Sequence, residues 1–105
     1  MNALEKREHY ACLFDFYSSL LTEKQRQYFQ YYYFSDLSLM EIAGIYGISR
    51  TAVYDQLTKT YRYLDSFEEK LKLYSRFQER NKLYKYYDRQ NPVTDELIRK
   101  LQEIE

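Results

Sequence analysis

The stretch that most limits what this chain can become is "LSLMEIAGIYGISRTAVYDQL", residues 37–57. It holds two helix starts with a glycine between them. Ser38 and Glu41 have the spacing of a capping box, in which the serine hydroxyl takes the N3 amide and the glutamate reaches back to the cap amide. Leu37 and Ile42 stand where a hydrophobic staple forms. Ser49 caps a second helix, and Ile48 and Val53 repeat the staple. Gly47 suits the left-handed residue that closes a helix. Two caps and two staples in so short a span predict helix, tight turn, helix.

The rest of the chain agrees with an all-α fold. It has 105 residues, which predicts one domain, with only 2 Gly and 1 Pro to break helices. Tyr10, Leu13, Phe14, Tyr17, Leu20 and Leu21 recur at helical spacing and predict an amphipathic helix over 3–20. Thr22 and Gln25 form another capping box, opening a helix from Glu23 to Tyr33. The run "YFQYYYF" (28–34) is also strand-like, but a lone strand would have no partner. The helix after Ser49 is expected to bury Val53, Leu57, Tyr61 and Leu64, and to restart or continue at Asp65 or Ser66. Residues 66–79 then bury Phe67, Leu71 and Tyr74.

Beyond Gln78 the apolar stripe no longer matches. The pattern predicts either a break near Arg80–Lys82 or a change of packing partner. "DRQNPVT" (88–94) reads as a linker. Thr94 caps a last helix whose apolar face is Leu97, Ile98, Leu101 and Ile104. The organisation expected is a single helical domain, with a core in 1–64 and a helical extension in 65–105.

As a functional unit, the helix-turn-helix suggests a reader of DNA. The residues placed to touch base edges and phosphates are Ser49, Arg50, Thr51, Tyr54 and Thr58, with Lys59 and Arg62 further along. Charge weighs the other way. Sixteen bases balance sixteen acids, Asp55 sits in the second helix, and strong nucleic-acid binders are usually basic.

A second candidate surface is "KLKLYSRFQERNKLYKYYDR" (70–89), a local +5. There Lys72, Arg76, Arg80, Lys82 and Lys85 interleave with Tyr84 and Tyr87, which suits RNA or a single strand. The competing reading is a dimer face rich in tyrosine. The 14 tyrosines exceed what so small a core can hide, so some are expected at an interface.

Enzyme chemistry is not expected. The one histidine, His9, has no recognisable dyad partner and reads as a surface residue near a helix start. Cys12 reads as half-buried filler without a CxxC motif. No spacing suits a metal, no glycine-rich loop could cradle phosphate, and no cofactor is implied. A single cysteine, no apolar leader and no run of the roughly 20 residues needed for a membrane span point to the cytoplasm.

The run "LTEKQRQYFQYYYFSDLSLMEIAGIYGISRTAV" (21–53) resembles region 4 of the bacterial sigma-70-type factors. It departs from the active sigma regions at Ala52, Tyr54 and Asp55. With "ISRTAVYDQLTKTYRYLDSFEEKLKLY" and the charged N-terminal helix, the chain is further similar to the YlxM family, over roughly residues 4–75. The resemblance implies a sigma-70 region 4-like helix-turn-helix core with a long helical C-terminal extension. It also implies a regulatory role linked to the signal recognition particle pathway, whose RNA or GTPase would be partners alongside DNA. The apolar faces at 67–87 and 97–104 suggest a homodimer, the usual way to present two recognition helices.

Overall fold

The computed structural model describes residues 1–105, and every regular element in it is helical. Six α-helices follow in order: α1 (Ala3–Tyr17), α2 (Glu23–Tyr33), α3 (Leu39–Tyr46), α4 (Arg50–Leu71), α5 (Leu73–Tyr87) and α6 (Pro92–Ile104). No helix is long and apolar enough to cross a membrane. The chain divides into two compact units, Met1–Lys72 and Leu73–Glu105.

In the first unit the predicted caps form. Thr22 and Gln25 close a capping box on α2, Ser38 and Glu41 close one on α3, and Ser49 accepts from the Ala52 amide at the start of α4. These local bonds fix where each helix begins, because they satisfy amides that have no partner inside the helix. The aromatic run 28–34 is helical through Tyr33, as its cap required. Four helices then enclose one core that includes Leu13, Phe14 and Tyr17 of α1, Tyr28 and Phe29 of α2, Ile42 of α3, and Val53, Leu57 and Leu64 of α4. Phe29 is its centre: its ring stacks on Phe14 at 4.4 Å and on Tyr33 at 4.0 Å, with no exposed surface left.

Buried polar groups in this unit are satisfied. Thr60, fully buried, donates to the Gln56 carbonyl at 2.9 Å. Tyr17 donates to Glu68 at 2.6 Å. Arg7 of α1 reaches the end of α2, where Nη2 donates to the carbonyls of Tyr32 and Tyr33, both at 3.1 Å. Those are the orphan acceptors of a helix C-terminus, and a guanidinium there also meets the negative end of the helix dipole.

Several boundaries differ from the sequence pattern. α1 stops at Tyr17, and a 3-10 turn, Ser18–Leu20, follows. Leu20 is therefore 54% exposed rather than part of the buried stripe. Arg26 holds that turn by donating to the Leu21 and Ser18 carbonyls. α4 continues through residues 65 and 66, and Phe67 is half-buried against Tyr17 at 5.8 Å. Leu71 is exposed, where burial was expected, because it ends its helix.

The helical break comes at Lys72, not near Arg80–Lys82. Lys72 adopts the left-handed conformation (φ 56°) and its amide donates to the Glu68 carbonyl at 2.9 Å. The second of the two expectations for this region holds instead. α5 is continuous, and Leu83, Tyr84 and Tyr87 turn to α6.

In the second unit, Asn91 rather than Thr94 caps α6. Its side chain accepts from the Thr94 amide at 2.8 Å, and Pro92 occupies the first turn, where a missing N–H costs nothing. The connection is correspondingly shorter than 88–94. Thr94 is the N3 residue, so its hydroxyl bonds back to Asn91.

Candidate nucleic-acid interface

The turn between α3 and α4 is set by Gly47. At φ 65° it occupies the left-handed region that favours glycine, and its amide and that of Ile48 both donate to the Ala43 carbonyl. The chain reverses at once, and Ser49 starts α4 two residues later. Ile42, Ala43, Val53, Leu57 and Tyr28 lock the two helices together.

That packing decides which side of α4 faces outward. At about 100° per residue, Val53, Leu57, Thr60 and Leu64 share the buried side. Thr51, Tyr54, Asp55, Thr58 and Arg62 fall within an arc of about 100° on the outer side. Arg50 and Lys59 flank that arc at its two edges. The structure therefore places Thr51, Tyr54, Thr58 and Arg62 of the predicted contact residues on one outward surface, with Arg50 and Lys59 on opposite margins about 180° apart and Ser49 at the cap before the helix.

Their individual states differ. Arg50, Thr51, Lys59 and Arg62 are exposed, and none of the three cations forms an ion pair. Ser49 commits an oxygen lone pair to the Ala52 amide at 3.1 Å, leaving its hydroxyl proton free to donate. Thr58 is half-buried and donates to the Tyr54 carbonyl at 2.9 Å, so it faces a ligand only as an acceptor. Tyr54 is 57% exposed. Every other tyrosine of the first unit touches another aromatic ring, while Tyr54 has no ring partner. Asp55 shares the arc without an ion pair.

The basic-aromatic set at 70–89 is not brought together in the same way. Lys72 lies outside α5, as the left-handed residue closing α4. On α5, Arg76, Arg80, Tyr84 and Tyr87 share one side, whereas Lys82 and Lys85 fall far round the helix. Arg80 donates to Glu105 at 2.6 Å, and Tyr84 bonds the same carboxylate. Tyr84 is held above its usual pKa by that hydrogen bond, and Glu105 is lowered by it. With Leu83, Leu97, Ile98 and Leu101, Tyr84 and Tyr87 line a groove of about 400 Å³ between α5 and α6.

No cluster of His, Cys, Asp and Glu could hold a metal ion. His9 is half-buried, edge-on to Tyr10 at 5.3 Å, and Cys12 is half-buried and free. Beside α4 lies one feature that sequence spacing did not reveal. Arg50, Tyr54 and Thr58 line a cleft of about 320 Å³ whose other walls include Tyr32 of α2 and Leu39 of α3. These residues are too far apart in sequence for any local pattern to join them.

A family model described as "Putative helix-turn-helix protein, YlxM / p13 like" matches residues 4–104. The chain belongs to the UPF0122 family. Among its UPF0122 relatives, one from Lactococcus lactis subsp. cremoris (strain MG1363) is 46% identical over 102 residues, covering 97% of this chain and 92% of the relative. One from Shouchella clausii is 53% identical over 73 residues, 70% of this chain and 67% of the relative. One from Oceanobacillus iheyensis is 51% identical over 73 residues, 70% of each. UPF0122 membership agrees with the helix-turn-helix built by α3 and α4.

Proposed function

We propose that this UPF0122 protein is a non-enzymatic, cytoplasmic regulator that lays α4 in the major groove of duplex DNA. The observation that carries this reading is the outer arc of α4, where unpaired cations flank an uncommitted tyrosine. Arg50, at the helix start, can fork onto a guanine or clamp a phosphate. Thr51 presents a methyl group to a thymine, and Tyr54 offers a flat face and a hydroxyl. Ser49 donates, Thr58 accepts, and Lys59 and Arg62 reach phosphates. The link to the signal recognition particle pathway rests on the YlxM resemblance, and the likeness to sigma-70 region 4 rests on residues 21–53.

Arg50→Ala tests the reading. Duplex affinity should fall, and the slope of log affinity against log salt should become shallower by about one. An unchanged duplex affinity would remove α4 from the interface. The second reading is then favoured: α5, with four bases against the single acid Glu79, contacts the particle's RNA or GTPase and the helix-turn-helix is scaffold. A combined Arg76/Arg80/Lys82 alanine variant separates the two, because only the second reading predicts that it loses binding.

We further infer a homodimer through the second unit. No residue of Leu73–Glu105 is buried, and Leu97 and Leu101 are 57% and 41% exposed. A stretch shorter than roughly 40 residues rarely holds its fold without a partner. Sedimentation at micromolar concentration checks this, and a monomer there sinks the dimer.

A further inference from the structure

The cleft beside Arg50 does not end at α2. A second cleft of about 310 Å³, walled by Lys6 and Arg7 of α1, shares Tyr32 and Tyr61 with it. The two adjoin as one trough, floored by tyrosine rings. Its charge is unlike that of the surrounding unit. Residues 1–72 carry nine bases and ten acids, yet the trough is lined by Lys6, Arg7 and Arg50 and by no acid at all. Asp55 lies further round α4 and does not reach it. The missing net charge of the chain therefore hides a local cationic surface.

The groups in the trough divide into fixed and free. Tyr33 is held between Phe29, stacked at 4.0 Å, and the Arg7 guanidinium, 4.7 Å from its ring centre. Tyr61 leans on Tyr10 at 4.5 Å and shares a 3.1 Å hydroxyl contact with Tyr33. Arg7 is committed to two carbonyls and to Asp36 at 3.3 Å. By contrast, Lys6 and Arg50 form no ion pair. Tyr32 is half-buried against the core, with the Arg7 guanidinium 5.5 Å from its ring centre and Tyr33 at 61°, so no aromatic ring lies flat on it, and Tyr54 touches no ring. The trough thus offers two rings on which no other ring stacks, Tyr32 and Tyr54, and two cations without an ion pair, Lys6 and Arg50.

We propose that this trough binds an unpaired strand of nucleic acid, with bases stacked on Tyr32 and Tyr54 and phosphates held by Lys6 and Arg50. In a duplex, the faces of the bases are already stacked on their neighbours. Only an unpaired base has a face to give to a tyrosine, and rings alternating with cations are how single strands are held without sequence reading. Each cleft is at the lower end of small-ligand sites, roughly 300 Å³, which suits one nucleotide apiece. This goes beyond duplex recognition by α4, because Lys6 and Tyr32 lie off the recognition helix.

The test uses the full chain with fluorescent twelve-nucleotide oligoadenylate, as RNA and as DNA, and with a duplex of mixed sequence. The protein should bind the single strands. Tyr32→Leu should weaken them by about tenfold, the loss expected for one stacked base. Lys6→Gln, at an exposed position that leaves the fold intact, should make the single-strand salt slope shallower by about 0.7. Both should leave duplex affinity in place. A preference for RNA would place a 2′-hydroxyl contact in the trough, and equal binding would make the shared base-phosphate chemistry sufficient. Arg50→Ala should weaken single strands as well as duplex, and single strands that bind it unchanged would overturn the placing of phosphates on Arg50. Single strands that do not bind, or that bind Lys6→Gln and Tyr32→Leu as they bind the unaltered protein, would overturn the proposal whatever the duplex does.

Discussion

The two units of this protein are made of similar material and pack differently. Tyrosine is about as frequent in 73–105 as in 1–72, and the net charges are +1 and −1. Yet every buried side chain, from Leu13 to Leu64, lies in the first unit, and none in the second. The difference is the number of helices available to surround a side chain. In 1–72, Phe29 has α1 on one side and α4 beyond, and its ring is closed off completely. In 73–105, α6 presents Leu97 and Leu101 to a single neighbour, so each keeps an outer side. Aromatic content alone therefore says little about burial, since a third packing element decides it.

The largest consequence concerns independence. A peptide of residues 1–72 should unfold cooperatively and keep the helical signature of its part of the whole. A peptide of 73–105 should be mostly non-helical in dilute buffer, because helices of 15 and 13 residues are marginal without tertiary packing. Circular dichroism of the two peptides checks this. A helical 73–105 peptide at low micromolar concentration would break the contrast between the units.

Single substitutions sharpen it. Phe29→Ala removes a ring with no exposed surface and should cost about 3–5 kcal/mol in urea unfolding. Leu97→Ala, at a site 57% exposed, should cost well under half of that in dilute monomer. Equal costs would mean that Leu97 is covered in solution, which the homodimer reading allows only at concentrations where the dimer forms.

Two of the left-handed residues that follow helices, Gly47 and Lys72, provide a smaller comparison. Gly47→Ala puts a Cβ at φ 65°, where a non-glycine residue costs roughly 1–2 kcal/mol. Space is not the issue, because no heavy atom outside residues 46–48 lies within 4 Å of the added carbon. Lys72 already bears that penalty at φ 56°, so Lys72→Gly should leave stability unchanged or raise it by up to about 1 kcal/mol. A destabilised Lys72→Gly would show that its side chain contributes more than its backbone costs.

The same pair shows what could be read from the chain before its fold was seen. Gly47 was legible because residue type and conformation agree, as they do at Thr22, Ser38 and Ser49, whose caps act over three positions. Lys72 was not, since nothing in a lysine asks for a left-handed turn. Thr94 resembles a cap because Thr followed by Asp95 and Glu96 also looks like a helix start, whereas Asn91 before Pro92 carries the signal that the fold obeys. The arc on α4 was legible once the buried side was known, because one helix carries all of it. The trough was not, because Lys6, Tyr32, Arg50 and Tyr61 come from three helices and meet only through the core that orients them. Local chemistry is visible in sequence; juxtaposition across a core is not.

Alkaline titration gives the most finely graded separation of the units. Tyr10 is pushed up to about 12, first by burial and then by its 2.9 Å hydrogen bond to Asp65. Tyr61 is raised as well, chiefly by burial and then by its bond to Tyr33. In the unfolded chain a tyrosine ionises near pH 10. Between about pH 10 and 12 the unfolded state therefore releases protons that the folded state keeps, and stability falls as pH rises. The contribution is fully present below pH 10 and lost as pH passes through the folded value. Tyr10→Phe should make the fall between pH 10 and 12 shallower by up to about one proton. Tyr84 is also raised, through Glu105, but it stands on the second unit where nothing is buried, so Tyr84→Phe should leave the slope where it was. Urea unfolding from pH 8 to 11.5 measures both. If Tyr84→Phe changes the slope as much as Tyr10→Phe, then the second unit orders with the first in a single transition, and the contrast drawn from burial does not carry over to stability.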